Sequence, residues 1–361
     1  MVGSLASLLY RVLLSNLAAL AAPYKLTYAV TYRCNQRCAA CHIWKRRSTG
    51  ELSLAEIDRF FASSKGFSWV DLTGGEVFLR SDIEEIILTI IRRLPDLYML
   101  HFPTNGLLTE RILSTVDRVL LEPSRPPRLI VSVSLDGPEE LHDRLRGTPG
   151  GWRKALATYS ALRRMPGVDV YLGMTLSRAN MDHIAQTYAA VLEHSPDLTY
   201  TDLHVNLMHE SPHFYGNVAS DLTPSGQDRQ RLEAALGDIL SRRGASLNPV
   251  LILERQYLKL IPAYLRSGRS PVQCQALSAS CFVDPYGDVY PCAIWDKKLF
   301  NLRDVDYSLR RAWTMALIRE PRRGIRAGRC PNCWTPCEAY QSILGSLPRI
   351  LLPRTTPTGP K

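Results

Sequence analysis

Residues 34–42 read Cys34-Asn35-Gln36-Arg37-Cys38-Ala39-Ala40-Cys41-His42. Three cysteines fall at the spacing C-x3-C-x2-C. A loop this tight can bring three thiolates to one corner of a cuboidal iron–sulfur cluster. Three ligands leave one iron of a [4Fe–4S] cluster open to a substrate or cofactor. The alternative is a structural zinc site, which takes four closed ligands. Its fourth ligand would have to be His42, and adjacent residues rarely both reach one metal. The residues before the loop, Tyr24 to Thr31, are β-branched and aromatic, and predict a strand that feeds straight into it.

Outward from this loop, strand and helix patterns alternate. A helix is predicted near Ser53 to Ser64, with Ser53 and Glu56 spaced as a capping box. Strands follow at Trp69–Thr73, Leu97–Phe102, Arg128–Leu135, Val168–Thr175 and Thr201–Leu207. Between them, helices are expected from Ser81 or Asp82 to Arg93, over Thr109–Leu120, near Trp152–Arg164 and near Met181–Glu193. Six strands alternating with helices predict a parallel sheet, an α/β partial (β/α)6 TIM-type barrel. In such folds the chemistry sits at the C-terminal ends of the strands. The notable tripeptides share that address: Gly74-Gly75-Glu76 after the second strand, Thr104-Asn105-Gly106 after the third, Ser134 to Gly137 after the fourth.

With these motifs in place, the chain resembles the radical S-adenosylmethionine (SAM) superfamily. The resemblance covers roughly residues 24–340. It implies that Cys34, Cys38 and Cys41 ligate a [4Fe–4S] cluster whose open iron chelates the methionyl amine and carboxylate of SAM. Electron transfer into the sulfonium would then release a 5′-deoxyadenosyl radical. Gly74, Gly75 and Glu76 match the family's GGE motif, in which the glycines let backbone carbonyls approach the SAM ammonium. Ser134 and Asp136 would lie near the SAM ribose and carboxylate. Thr104, Asn105 and Thr175 are weaker members of the same ring, and Asp-Gly is also a common turn pair. Arg144 and Arg146 read as solvated, with pairing to the methionyl carboxylate as the alternative.

The chain carries nine cysteines: three at 34–41 and six at 274–337, with none between. Two clusters at metal-ligand spacing point to metal in a reducing compartment, hence the cytoplasm, rather than to disulfides. Cys274-x12-Gly287-x4-Cys292 and Cys330-x2-Cys333 resemble the SPASM/Twitch extensions of radical SAM enzymes. In a Twitch arrangement those four hold one auxiliary [4Fe–4S] cluster. Cys281 and Cys337 remain as further candidate ligands. A zinc ribbon is the alternative for the distal cysteines.

Net charge is +10 and the sequence pI about 9.2, with no run of Lys/Arg that favours nucleic acid. The basic balance suits an acidic redox donor or anionic headgroups. In the first 22 residues Leu5, Leu8, Leu9, Val12, Leu13 and Leu20 share one helical face; Ser7, Arg11 and Ser15 share the other, and Asn16 breaks the pattern. That helix either packs on its own barrel or lies at a membrane's cytoplasmic face. The expected organisation is an N-terminal helix (1–22), a core barrel (23–215), a helical bridge (216–270), an auxiliary-cluster domain (271–342) and a basic tail (343–361). His209-Glu210-Ser211-Pro212-His213 matches the zinc-protease string H-E-x-x-H. Pro212 would break the helix that motif requires. His204, on the sixth strand, reads as a packed residue.

These readings converge on a radical SAM enzyme that abstracts hydrogen from an unactivated carbon, served by an external ferredoxin- or flavodoxin-type reductant. Peptide modification is implied by the SPASM/Twitch resemblance. The apolar first helix and the basic charge lean instead toward a membrane lipid chain. An iron–sulfur electron carrier would not need the glycine motif or the barrel.

Overall fold

The computed structural model describes residues 2–348. After a first helix, α1 (Val2–Leu17), six strands form: β1 (Lys25–Thr31), β2 (Trp69–Gly74), β3 (Met99–Thr104), β4 (Arg128–Ser134), β5 (Asp169–Leu176) and β6 (Leu203–Leu207). They run parallel and lie side by side in chain order. The crossovers are α2 (Leu54–Ser63), α3 (Ile83–Arg93), α4 (Thr109–Leu120), the pair α5 (Glu139–Arg146) and α6 (Gly151–Leu162), and α7 (Ile184–Leu192). The expected capping box forms: Ser53 Oγ accepts from Glu56 N while the Glu56 carboxylate accepts from Ser53 N. Asp82 stands at the N-cap of α3 without capping it, because its carboxylate is taken by Arg80 Nε at 2.8 Å.

The barrel stops at six strands, and helices complete its wall. α8 (Arg229–Arg242) and α9 (Pro249–Ser267) follow β6. β6 has no strand on its outer edge, and side chains take that role. Glu254 Oε1 accepts from Val205 N at 3.2 Å, and Tyr257 OH from Leu207 N at 3.1 Å. Arg243 donates to Leu203 O. On the other side the sheet continues into the distal region. β7 (Ser280–Val283) pairs parallel with β1, and β8 (Asp288–Tyr290) and β9 (Phe300–Asn301) add antiparallel. Gly287, at φ +85°, turns the chain between β7 and β8. Three short helices close the chain: α10 (Leu309–Trp313), α11 (Ala316–Arg326) and α12 (Pro336–Leu344).

α1 packs on its own molecule. Leu8 and Val12 are buried with Leu20, Tyr24 and Ala279, and Leu344 and Leu347 pack against them. Asn16 ties the two ends of the chain together: Nδ2 donates to Leu344 O and Oδ1 accepts from Leu347 N. The expected leucine face is split, however. Ser4 and Ser15 are buried beside Leu8 and Val12, while Leu9 is 52% and Leu13 62% exposed. No helix among the described residues is long and apolar enough to cross a membrane. Of the expected basic tail, residues 349–361 lie outside the described residues.

Candidate active site

β1 delivers the cysteine loop to the C-terminal end of the sheet. Cys34, Cys38 and Cys41 are half-buried and line one cavity of about 360 Å³. The loop is held by backbone bonds: Arg37 N to Arg146 O, Ala39 N to Leu145 O at 2.8 Å, and His42 N to Tyr215 O at 2.7 Å. Burial pushes the Cys34 thiol up to about 11 and Cys41 up to about 12. Free, these groups are thiols; a bound metal is what would make them thiolates. His42 is turned aside, with Nδ1 3.1 Å from Gly216 O. Among the described residues no three His, Cys, Asp or Glu side chains converge on a single ion. Three separated thiols facing one cavity suit a cluster corner.

Gly74 and Gly75 carry the β2 backbone hard against β1. Gly75 N donates to Thr31 O and Glu76 N to Arg33 O at 2.7 Å. A Cβ at Gly74 would strike the Thr31 carbonyl, and one at Gly75 the Arg33 carbonyl. The glycines are therefore required by a close approach of two backbones. Glu76 is buried and accepts from Thr104 Oγ1 at 2.9 Å and Asn105 N at 2.7 Å. Burial pushes its carboxyl up to about 7 despite those bonds. Asn105 Nδ2 donates to Asn35 Oδ1 at 2.7 Å, joining the β3 end to the cysteine loop.

The opposite wall is built around Asp136. Its Oδ1 accepts from Thr175 N at 2.9 Å and its Oδ2 pairs with Arg146 Nε at 2.7 Å. The buried His142 accepts from Asp136 N through Nδ1. Burial pushes this imidazole down to about 4, aided by Arg146, so it is neutral. Ser134 lines the same wall. The expectation that Arg146 is solvated is corrected. It closes α5 with little exposure, faces the cavity, and brings Nη1 to 4.0 Å from Cys38 Sγ. Arg144 is the exposed one. Gln36 escaped sequence reading: it is 1% exposed, lines the cavity, and leaves Nε2 without a partner.

Below this level the cavity runs down the barrel lumen, where a polar line crosses four strands. Lys25 Nζ on β1 pairs with Asp71 Oδ2 on β2 at 3.0 Å. Asp71 Oδ1 lies 3.3 Å from His101 Nδ1 on β3, and His101 Nε2 lies 3.0 Å from Ser132 Oγ on β4. Burial opposes ionisation of Asp71, but Lys25 and then His101 overcome it and hold the carboxyl well below the usual range. His204 also reaches the lumen. It stacks on Tyr171, as a packed residue does, with Nε2 2.9 Å from Glu254 Oε2. Buried Thr27 Oγ1 and Thr335 Oγ1 line the lumen without partners. Alternation along the strands contained this line, but strand pattern alone does not show that the lumen is hollow at Asp71 and His101.

The distal cysteines separate into three environments. Cys274, Cys292, Cys330 and Cys333 lie close enough that ionising one opposes ionising its neighbours, after burial has already raised each thiol. Cys281 is 0% exposed on β7, within the hydrophobic core, and no cysteine acts on it. Cys337 faces the lumen, opposite the loop cysteines, and its carbonyl accepts from Lys25 Nζ. The four-thiol set matches the Twitch pattern; Cys281 and Cys337 are not brought to it. The H-E-x-x-H string forms no helix. His209 Nε2 accepts from Trp334 N, and His213 stacks on Tyr290.

Comparisons with known proteins agree with this geometry. Residues 28–191 match the model of the radical SAM superfamily, and residues 274–337 that of the SPASM iron–sulfur cluster-binding domain. Mycofactocin maturase MftC of Mycolicibacterium smegmatis is 27% identical over 86% of this chain and 76% of its own. The antilisterial bacteriocin subtilosin biosynthesis protein AlbA of Bacillus subtilis is 25% identical over 78% of this chain, which spans 57% of AlbA. Among solved structures, Streptococcus suis SuiB bound to precursor peptide SuiA superposes with a TM-score of 0.60 at 16% identity, over 87% of this chain and 69% of that one.

Proposed function

The chain belongs to the radical SAM superfamily and carries a SPASM-type iron–sulfur domain, and from that premise we propose that it modifies a peptide at an unactivated carbon. Its cofactors are [4Fe–4S] clusters and SAM. The observation that carries the peptide reading is the polar floor of the lumen. A hydrocarbon chain lying there would leave the unpartnered Thr27, Thr335 and Gln36 facing apolar surface. Buried polar groups without partners cost about 1–3 kcal/mol each. A peptide residue brings donors and acceptors for them. The lipid reading rested on α1 and on net charge, and the inner face of α1 is covered by the protein itself. MftC is named a maturase, AlbA serves bacteriocin biosynthesis, and SuiB holds a precursor peptide.

In this reading Cys34, Cys38 and Cys41 would hold the first cluster, while Cys274, Cys292, Cys330 and Cys333 would hold the auxiliary one. Together the first cluster and SAM, when bound, supply a 5′-deoxyadenosyl radical that removes a hydrogen atom from substrate. The chain's own part is positional. Gly74 and Gly75 offer bare backbone to the SAM ammonium, Arg146 offers its guanidinium to the carboxylate, and Ser134 and Asp136 border the ribose. Glu76, already committed to Thr104 and Asn105, fixes the ring of loops. His101, oriented by Asp71, can take or return a proton at Nε2 by way of Ser132.

The test uses reconstituted enzyme, SAM and reductant with a panel of short peptides and, in parallel, membrane lipids, read by mass spectrometry. A mass change on the peptide is expected. His101→Gln should slow that change at least tenfold while peptide-free 5′-deoxyadenosine formation continues. Modified lipid with untouched peptide would overturn the reading.

A further inference from the structure

Between Tyr307 and Cys337 the chain holds seven arginines and one acid, Glu320. This short segment carries +6 of the +10 net charge. The excess is not spread evenly. Arg319, Arg323 and Arg326 recur at i, i+4 and i+7 on the exposed face of α11. Arg329 N donates to Gly324 O at 2.8 Å, which folds the next loop back over the end of that helix and sets Arg329 and Cys330 beside it. Among the described residues none of these four arginines forms an ion pair, whereas the exposed Arg93 and Arg231 each do. Arg322, turned inward over the Trp313 ring, feels Arg326 as a like charge.

The stripe ends at the open edge of the four-thiol site. Cys330 is half-exposed, while Cys292 is buried. Trp295 links the two features: its N–H donates to Cys292 Sγ at 3.3 Å and its ring packs near Gly324 of α11. Lys297 lies over that ring and adds to the charge. None of the four thiols lines the substrate cavity. A site off the lumen lining but beside a basic surface is placed to exchange electrons with a partner protein.

We propose that Arg323, Arg326 and Arg329, with Arg319 behind them, form the docking face for an acidic one-electron carrier protein that exchanges electrons with the auxiliary site. One electron passes between carrier and site, and no proton or bond moves. The assignment is independent of whether the substrate is a peptide.

The probe is an oxidised flavodoxin, an acidic FMN protein, titrated onto holoenzyme at rising ionic strength. Binding should weaken with salt, and Arg323→Glu, Arg326→Glu and Arg329→Glu together should weaken it at least tenfold. Reduced flavodoxin should then reduce the auxiliary site at least tenfold more slowly, read by stopped-flow absorbance, with the dithionite-driven reduction rate unchanged. A triple Arg→Lys variant should keep both. If the Glu variant also loses the dithionite rate, the Lys variant decides: flavodoxin binding kept supports the face, binding lost overturns it. Equal flavodoxin binding by the Glu variant and the parent overturns it, as does a parent that prefers phosphatidylglycerol vesicles or single-stranded DNA at the same salt.

Discussion

The two cysteine sites are built in opposite ways. The first uses three thiols within eight residues, on a loop whose shape is set by a few local backbone bonds. The second gathers four thiols from positions 274 to 333, and depends on a strand, a hairpin and the α11 loop meeting correctly. The first opens onto a cavity lined by unpartnered polar groups. The second faces no substrate space. A site that must bind a changing guest is kept local, with an open coordination position. If, as proposed, the second site serves only to hold charge, it can be assembled from distant parts, since its geometry need satisfy nothing but its own ligands.

Removing one thiol from each site gives the widest contrast. Cys38→Ala should abolish 5′-deoxyadenosine formation under dithionite and SAM, because two thiols cannot hold a cluster corner with one open iron. Product at parental level from that variant would dissolve the distinction between the sites.

Acid should act on the wall of the first site. His142 is buried neutral, with its pKa lowered from 6.5 to about 4. The unfolded chain takes up this proton near 6.5 and the folded chain only near 4. Stability is therefore full above 6.5 and falls as pH drops toward 4. The loss from this group is about 3 kcal/mol. Denaturant melts of the parent and of His142→Gln across that range should diverge. Parallel pH profiles would remove His142 from the account.

Gly75→Ala tests how tightly the open site is drawn. Its Cβ would meet the Arg33 carbonyl, and overpacking of this kind costs about 1–3 kcal/mol. SAM affinity in equilibrium dialysis should fall about 10- to 100-fold, while distal iron is retained. The smallest effect separates the distal cysteines. Cys333→Ala should lower iron about twofold, whereas Cys281→Ser should keep iron and only soften the core, by about 1–3 kcal/mol. Equal iron loss from both would return Cys281 to the ligand set.

Much of the barrel could be read from sequence because strand period and strand-end motifs coincide there. Thr109–Leu120 matches the expected helix at both ends, and the Ser53 box formed as read. α5 was missed because Glu139–Arg146 holds only two leucines, Leu141 and Leu145, among its charged residues, too few to announce a helix. Arg146 was misjudged with it. β7 to β9 are two to four residues long, too short for pattern to show, and only their pairing defines them, β7 with β1, β8 with β7 and β9 with β8. Cys281, a candidate ligand by cysteine count, lies on β7 with its side chain in the core, a placement the count does not show. The lean toward lipid treated net charge as a property of the whole surface. Most of it sits on one short segment around α11.

The free edge of β6 has a mechanical consequence. A closed barrel fixes its bore by strand number and shear. Here β6 is moored to α9 and to the loop before it by Arg243, Glu254 and Tyr257. Tyr257 OH in turn donates to Trp334 O, next to the Thr335–Cys337 stretch that borders the lumen. The bore is thus set by side-chain length, an adjustable gauge. Exchange of one mooring residue can resize the chamber for another guest without altering a single strand pairing.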